Sequence, residues 1–171
     1  MKKSSRVFAL VALTLIALAG SALIPAGGAS VASVALTDTP PSELAAARAG
    51  TAKYHNIAQA EADGYVNIDV FVSGQGFHYL NPAPDVLDAT FEADKPEILV
   101  YAPMPLENSL RLVAVEYAVP IALSPNGPPE GFTGNDDVWD RNEEFGLWTL
   151  HAWVWLNNPN GMFAEFSPRV P

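Results

Sequence analysis

Residues 42–72 read SELAAARAGTAKYHNIAQAEADGYVNIDVFV, and the spacing of their apolar residues changes at Gly64. Before Gly64, small and apolar side chains recur every three or four residues, which predicts an amphipathic helix over residues 42–63. Ser42 is suited to cap the start of this helix, and Gly64 is suited to end it. After Gly64, apolar and polar residues alternate over residues 65–72, which predicts a half-buried strand.

Further strands are predicted downstream, because short apolar runs alternate there with turns rich in Gly, Pro and Asn. They cover residues 77–80, 98–101, 110–119 and 147–156, and the second and third of these form a hairpin. The acidic stretch that begins Asn135-Asp136-Asp137 predicts a short helix over residues 135–145. One helix followed by antiparallel strands predicts an α+β fold. We expect an N-terminal amphipathic helix packed on a curved antiparallel sheet, or on a partly closed barrel, with an interior pocket.

Composition excludes several classes of function. The chain has 171 residues and no Cys. Disulfides, Cys-based zinc sites, iron–sulfur clusters and thiol catalysis are therefore excluded. Nine Lys and Arg stand against 19 Asp and Glu, which gives a net charge of −10. Nucleic-acid binding needs clustered basic residues, so no nucleic-acid partner is expected.

The first 35 residues have the pattern of a secretory signal peptide. Lys2, Lys3 and Arg6 precede an apolar run over residues 7–18, and several small-x-Ala patterns follow it. We expect cleavage near residue 35, a single α+β domain over residues 36–171, and a secreted or periplasmic location without a stable membrane anchor. The alternative is an uncleaved anchor.

Cleavage would make the protein more acidic. The signal region carries three bases and no acid, so the charge of −10 becomes −13. This charge repels anionic polymers and suits a small molecule or a metal ion as partner. The alternative is that the acids form only a solvated surface, as in an envelope protein that contacts other proteins.

Three histidines and one glutamate form the candidate site. His55, His78 and His151 each fall within a predicted element, and Glu116 interrupts an otherwise apolar strand. A carboxylate in such a strand requires a partner, because an unpaired buried charge is costly. Three imidazoles and a carboxylate suit Zn, Cu, Mn or Fe. We expect these four side chains to converge on a metal that assists a hydrolytic or oxidative reaction.

Aromatic residues next to these four complete the predicted site. Tyr54 and Tyr117 are candidate proton donors, with Glu116 as a catalytic carboxylate. Trp153 and Trp155 fall on the predicted face of His151 and are candidates to wall a ligand pocket. The alternatives are a metal-free module for a small apolar or aromatic ligand, a metal-free acid–base pair of His151 and Glu116, and three unrelated histidines.

Overall fold

The structure is a computed structural model that describes residues 42–104, 109–134 and 136–171. Its elements are helix α1 (Ser42–Thr51), a 3₁₀ helix (Ala52–His55), helix α2 (Ile57–Ala62) and strands β1 (Val66–Val72), β2 (Gly76–Leu80), β3 (Ile98–Pro103), β4 (Leu110–Pro120), β5 (Asp140–Asn142) and β6 (Leu147–Ala152). The predicted signal peptide, residues 1–35, lies outside the described residues. Within the described ranges, no helix has the length and apolar character that a bilayer crossing requires.

The helical segment is interrupted, so the prediction of one continuous helix over residues 42–63 is wrong. Asn56 adopts an extended backbone conformation, and its side chain accepts a hydrogen bond from the N–H of Ala58. Asn56 therefore acts as an N-cap that begins a second helix in the middle of the apolar pattern. The predicted end is confirmed, because Gly64 has a φ of 99° and follows the last helical turn.

The strands form one antiparallel sheet of six, in the order β1-β2-β3-β4-β6-β5. The five strands predicted from the sequence are all present, and β3 and β4 pair as the expected hairpin. In the centre of the sheet, Glu116 on β4 lies opposite Ile98 on β3 and opposite His151 on β6. The last predicted strand is too long, because β6 ends at Ala152 instead of residue 156.

The sixth strand, β5, replaces the helix that was predicted over residues 135–145, and that prediction is wrong. Residues Asp140–Asn142 pair with the first half of β6. The carboxylate of Asp137 accepts the N–H of Phe132 in the preceding loop, so it caps no helix. Capping residues mark where a helix can begin. Here the backbone of Asp140–Asn142 pairs with the edge of β6 and forms no helical hydrogen bonds.

The sheet is strongly curved, which confirms an α+β fold with a curved antiparallel sheet. Six flat strands would span about 24 Å between the outermost pair, yet side chains from both edge strands line one recess. Two irregularities bend the sheet. The β1–β2 register shifts around Asp69, whose φ is 57°, and the β3–β4 register shifts after Val100. Such bulges increase local bending and twist.

The two faces of the sheet contribute to separate apolar clusters. One cluster joins the helices to the sheet through residues that include Leu44, Ala47, Tyr54, Tyr79, Leu99, Tyr101, Val115 and Tyr117. The hydroxyl of Tyr101 donates to the carbonyl of Tyr54 at 2.6 Å and ties the 3₁₀ helix to β3. The other cluster includes Ile98, Val100, Ala114, Ala118 and Trp153. Glu116 lies between Ala114 and Ala118 on this second face, away from the helices.

Candidate functional site

A recess of about 620 Å³ lies against the second face of the sheet, and we call it the sheet recess. Its apolar lining includes Ile68, Val70 and Val72 of β1, Leu80 of β2, Ile98 of β3 and Leu147 of β6. Its polar lining includes His78 of β2, Glu116 of β4, Asp140 of β5, Thr149 and His151 of β6, and Glu165 of the C-terminal tail. All six strands therefore contribute, as expected if the sheet curls around the recess.

Two of the predicted histidines and the predicted glutamate meet in the wall of the sheet recess. The Nε2 atom of His78 lies 3.4 Å from Oε2 of Glu116, and the imidazole rings of His78 and His151 have centroids 6.4 Å apart. The sheet order brings them together, because β4 pairs Glu116 with His151 on β6 and only β3 separates β4 from the strand β2 that carries His78. All three residues are more than nine-tenths buried.

The orientation of His78 fixes which ring nitrogen faces the glutamate. Its Nδ1 atom lies 3.3 Å from the carbonyl oxygen of Val70. A carbonyl oxygen can only accept a hydrogen bond, so Nδ1 carries the proton of the neutral ring. Nε2 then presents a lone pair towards Glu116. A protonated Glu116 can donate to this lone pair, whereas a carboxylate leaves the lone pair to another donor.

Burial drives this cluster towards its uncharged forms. It raises the pKa of Glu116 to about 7, an effect that the negative charge of Glu165 increases and a hydrogen bond from Thr149 opposes. Burial also lowers the pKa of His78. It lowers the pKa of His151 to about 3, with a smaller contribution from His78. The two imidazoles are therefore neutral near pH 7, the pH region in which Glu116 changes between its protonated and ionised forms.

His151 contains a buried polar atom without a partner. Its side chain lines the sheet recess, and its Nε2 atom has no hydrogen bond to any described residue. Buried polar atoms are almost always hydrogen-bonded, so an orphan at a recess marks a place where another molecule can supply the partner. The indole ring of Trp153 lies 5.2 Å from the imidazole and holds it from one side.

His55 and the two tyrosines do not join this cluster. His55 is exposed on the 3₁₀ helix, does not line the sheet recess, and packs against the ring of Trp155 with centroids 4.4 Å apart. The hydroxyl of Tyr54 donates a hydrogen bond to the carboxylate of Asp63 at 3.2 Å. Tyr117 donates to the carbonyl of Ala93 on the helix side. Neighbouring residues of a strand point to opposite faces, so Tyr117 cannot share the face of Glu116.

The two tryptophans do not share a strand face, contrary to the prediction. β6 ends before them, and neither lines the sheet recess. The indole N–H of Trp153 donates to the carbonyl of Ala164, and that of Trp155 donates to the hydroxyl of Thr51 in α1. Trp153 therefore packs against the ring of His151, and Trp155 contacts the helices.

The predicted set of three histidines and Glu116 does not form a metal shell in this arrangement. Among residues 42–104, 109–134 and 136–171, no group of three or more His, Asp or Glu side chains is placed to hold a metal ion. His55 is separated from the other three residues, because it lies at the end of the 3₁₀ helix with its side chain exposed.

Three carboxyl groups were not identified from the sequence. Glu165 and Asp140 line the sheet recess, but the tail around Glu165 has no periodic pattern that would locate it. Glu97 is 2% exposed and accepts the N–H of Ala118 at 2.9 Å, and burial raises its pKa to about 8. Its position directly before the apolar strand β3 was a signal that could have identified it.

No protein-family model matches this chain, and no curated protein or solved structure matches it.

Proposed function

We propose that the protein binds a small, mainly apolar molecule in the sheet recess, with one polar group of that molecule paired to the cluster of His78, Glu116 and His151. The observation that carries the proposal is that His151, a residue of the recess wall, has a buried Nε2 atom without a hydrogen-bond partner among the described residues. A polar group of a bound ligand would supply the missing hydrogen bond.

The size and lining of the recess support this proposal. Its volume of about 620 Å³ falls within the range of about 300–1,000 Å³ that is usual for small-molecule sites. Apolar side chains at its border are incompletely covered, since Ile68 is 37% exposed and Val138 is 70% exposed. A ligand that covers them removes apolar surface from water, which favours binding.

We also propose that the mature protein acts outside the cytoplasm, with residues 1–35 as a cleaved signal peptide. The support is the order of a basic start, an apolar run and small-x-Ala patterns in the sequence. N-terminal sequencing of the protein recovered from an exporting host tests this. An intact Met1 would contradict cleavage.

Direct binding of a fluorescent probe tests the proposal. We would titrate N-phenyl-1-naphthylamine, a neutral apolar fluorophore, into the wild-type protein and into a Val70→Trp variant, whose larger side chain fills the recess from β1. The control is Phe71→Trp, because Phe71 is 44% exposed on the same strand and does not line the recess. We expect saturable binding that Val70→Trp abolishes and Phe71→Trp retains. Equal binding by both variants, or no binding by the wild type, would refute the proposal.

A transition metal bound by His78, His151 and Glu116, without His55, is the competing outcome. The sequence predicted such a centre, although no group of three or more His, Asp or Glu side chains among the described residues is placed to hold a metal ion in this arrangement. Elemental analysis of untagged protein for Zn, Cu, Mn and Fe decides it. Near-stoichiometric metal that is lost in His151→Ala would replace the apolar-ligand proposal with a metal centre.

A further inference from the structure

We infer that the ligand of the sheet recess carries a protonated amine, so that the recess selects an apolar cation over neutral or acidic molecules of the same shape. This inference rests on the proposed function and specifies the class of ligand. Its basis is the sign of the charged groups around the recess and the kind of hydrogen-bonding atoms that the buried cluster presents.

All the formally charged side chains that line the recess are acidic. They are Glu116 on β4, Asp140 on β5 and Glu165 in the C-terminal tail, and no Lys or Arg is among the described lining residues. An acidic ligand would bring a like charge next to these carboxyl groups, which is unfavourable at short range in a partly dry site. The net charge of the chain, −10, also attracts cations and repels anions at longer range.

The buried cluster that borders the recess contains hydrogen-bond acceptors. The Nδ1 proton of His78 is held by the Val70 carbonyl, so its Nε2 atom is an acceptor next to Glu116. Nε2 of His151 is unpartnered and can accept a hydrogen bond when Nδ1 carries the ring proton. A primary ammonium group has three N–H donors and no acceptor. It therefore matches the Glu116 carboxylate and the Nε2 atom of His151 at the same time.

Binding of an ammonium group changes the protonation of Glu116. Without a neighbouring cation, burial and the negative charge of Glu165 favour the protonated carboxyl. A bound cation favours the carboxylate, so Glu116 releases its proton to solvent as the amine enters, and the amine keeps its own. The other groups that face Glu116 are the neutral His78 from β2, the neutral His151 and Thr149 from β6, and Ile98 from β3, so none supplies a competing positive charge.

Three probes of one shape test the inference. Octylamine, 1-octanol and octanoate share an alkyl chain and differ in the charge of one end group. We would measure their displacement of N-phenyl-1-naphthylamine at pH 7.5, below the concentrations at which they form micelles. We expect octylamine to bind at least about 10-fold more tightly than 1-octanol, and octanoate to bind more weakly than both.

Two glutamate variants locate the selectivity. Glu116→Gln keeps the shape of the side chain and removes its charge, so we expect the preference for octylamine over 1-octanol to fall at least about 10-fold. Glu61→Gln is the matched control, because Glu61 is exposed on α2, does not line the recess and contributes the same charge to the whole chain. We expect Glu61→Gln to keep the wild-type preference.

The outcomes separate this inference from the proposed function. If 1-octanol or octanoate displaces the probe as well as octylamine does, the recess binds apolar ligands but the amine inference is wrong. If none of the three and no probe binds, the proposed function itself fails. If Glu116→Gln does not fold, calorimetry of octylamine binding to the wild type in two buffers of different ionisation enthalpy decides instead. Proton release near pH 7 supports the inference, and its absence overturns it.

Discussion

Replacing Glu116 with Gln tests whether the protein holds this carboxyl group in its neutral form. The amide of Gln copies the protonated acid, because its NH₂ group can donate to Nε2 of His78 while its carbonyl accepts from the hydroxyl of Thr149. Gln cannot ionise. The variant therefore removes the pH-dependent cost of burying a carboxylate and leaves the neutral arrangement in place.

The magnitude follows from the pKa of Glu116 in the folded protein. Burial raises this pKa from 4.5 to about 7. Ionised Glu116 therefore lowers the free energy of unfolding by about 3 kcal/mol relative to protonated Glu116. Below about pH 4.5 the group is protonated in both folded and unfolded protein, so its ionisation costs nothing. Between about pH 4.5 and 7 the unfolded chain releases the proton while the folded protein keeps it, so the free energy of unfolding falls as pH rises. Above about pH 7 the full cost applies.

Urea denaturation at pH 4.5 and at pH 8.5, followed by tryptophan fluorescence, measures this effect. We expect the stability of Glu116→Gln relative to wild type to increase by about 2–3 kcal/mol from the lower to the higher pH, with an unchanged slope against urea. Other titrating groups are common to both proteins and largely cancel in the difference. Glu61→Gln, in which an exposed carboxyl is replaced, should change by less than about 0.5 kcal/mol. An equal difference at both pH values would refute the reasoning.

Three further results are expected. Gly50→Ala should destabilise the protein by more than about 2 kcal/mol in urea denaturation, because a Cβ atom at this position would meet the backbone of Asp94. Ala favours helices more than Gly does, so a stabilised variant would show that this close approach is absent. Glu97→Gln should gain stability relative to wild type as pH rises from about 4.5 to about 8, since burial raises the pKa of Glu97 to about 8. If the difference in free energy of unfolding between variant and wild type is the same at pH 5 and pH 9, burial of the charge is contradicted. His151 should stay neutral at pH 5 in an NMR titration of its imidazole, because its pKa is lowered to about 3; protonation near the usual value of about 6.5 would show that the ring is solvated.

Strands were the part of the fold that the sequence predicted well. Apolar alternation after Gly64 located β1, and Glu116 within the apolar run of β4 was a correct sign of a buried, partnered group. In β4 the apolar run reflects burial in the core, whereas Ile68, Val70 and Val72 of β1 line the sheet recess and are exposed or half-buried. The short strand β5 was missed because its pairing partner lies on β6, and local capping residues carry no information about that edge.

The candidate site could be predicted only in part, because its members come from separate elements. Glu116 and His151 share a ladder position, and His78 reaches them from β2 on the same face. The spacing of a continuous helix predicted His55 as a site residue, whereas the structure places it in a 3₁₀ helix that ends just before the cap formed by Asn56. Glu165 belongs to an irregular tail, so no periodicity could place it at the recess.

We propose the sheet recess as the place where a small apolar ligand binds. Intermolecular nuclear Overhauser effects between bound N-phenyl-1-naphthylamine and protein methyl groups test it most directly. We predict contacts with the methyl groups of Val70 and Ile98, which line the recess from opposite sides of β2. Contacts found only outside the recess, as with Leu123, which is 57% exposed, would contradict the account.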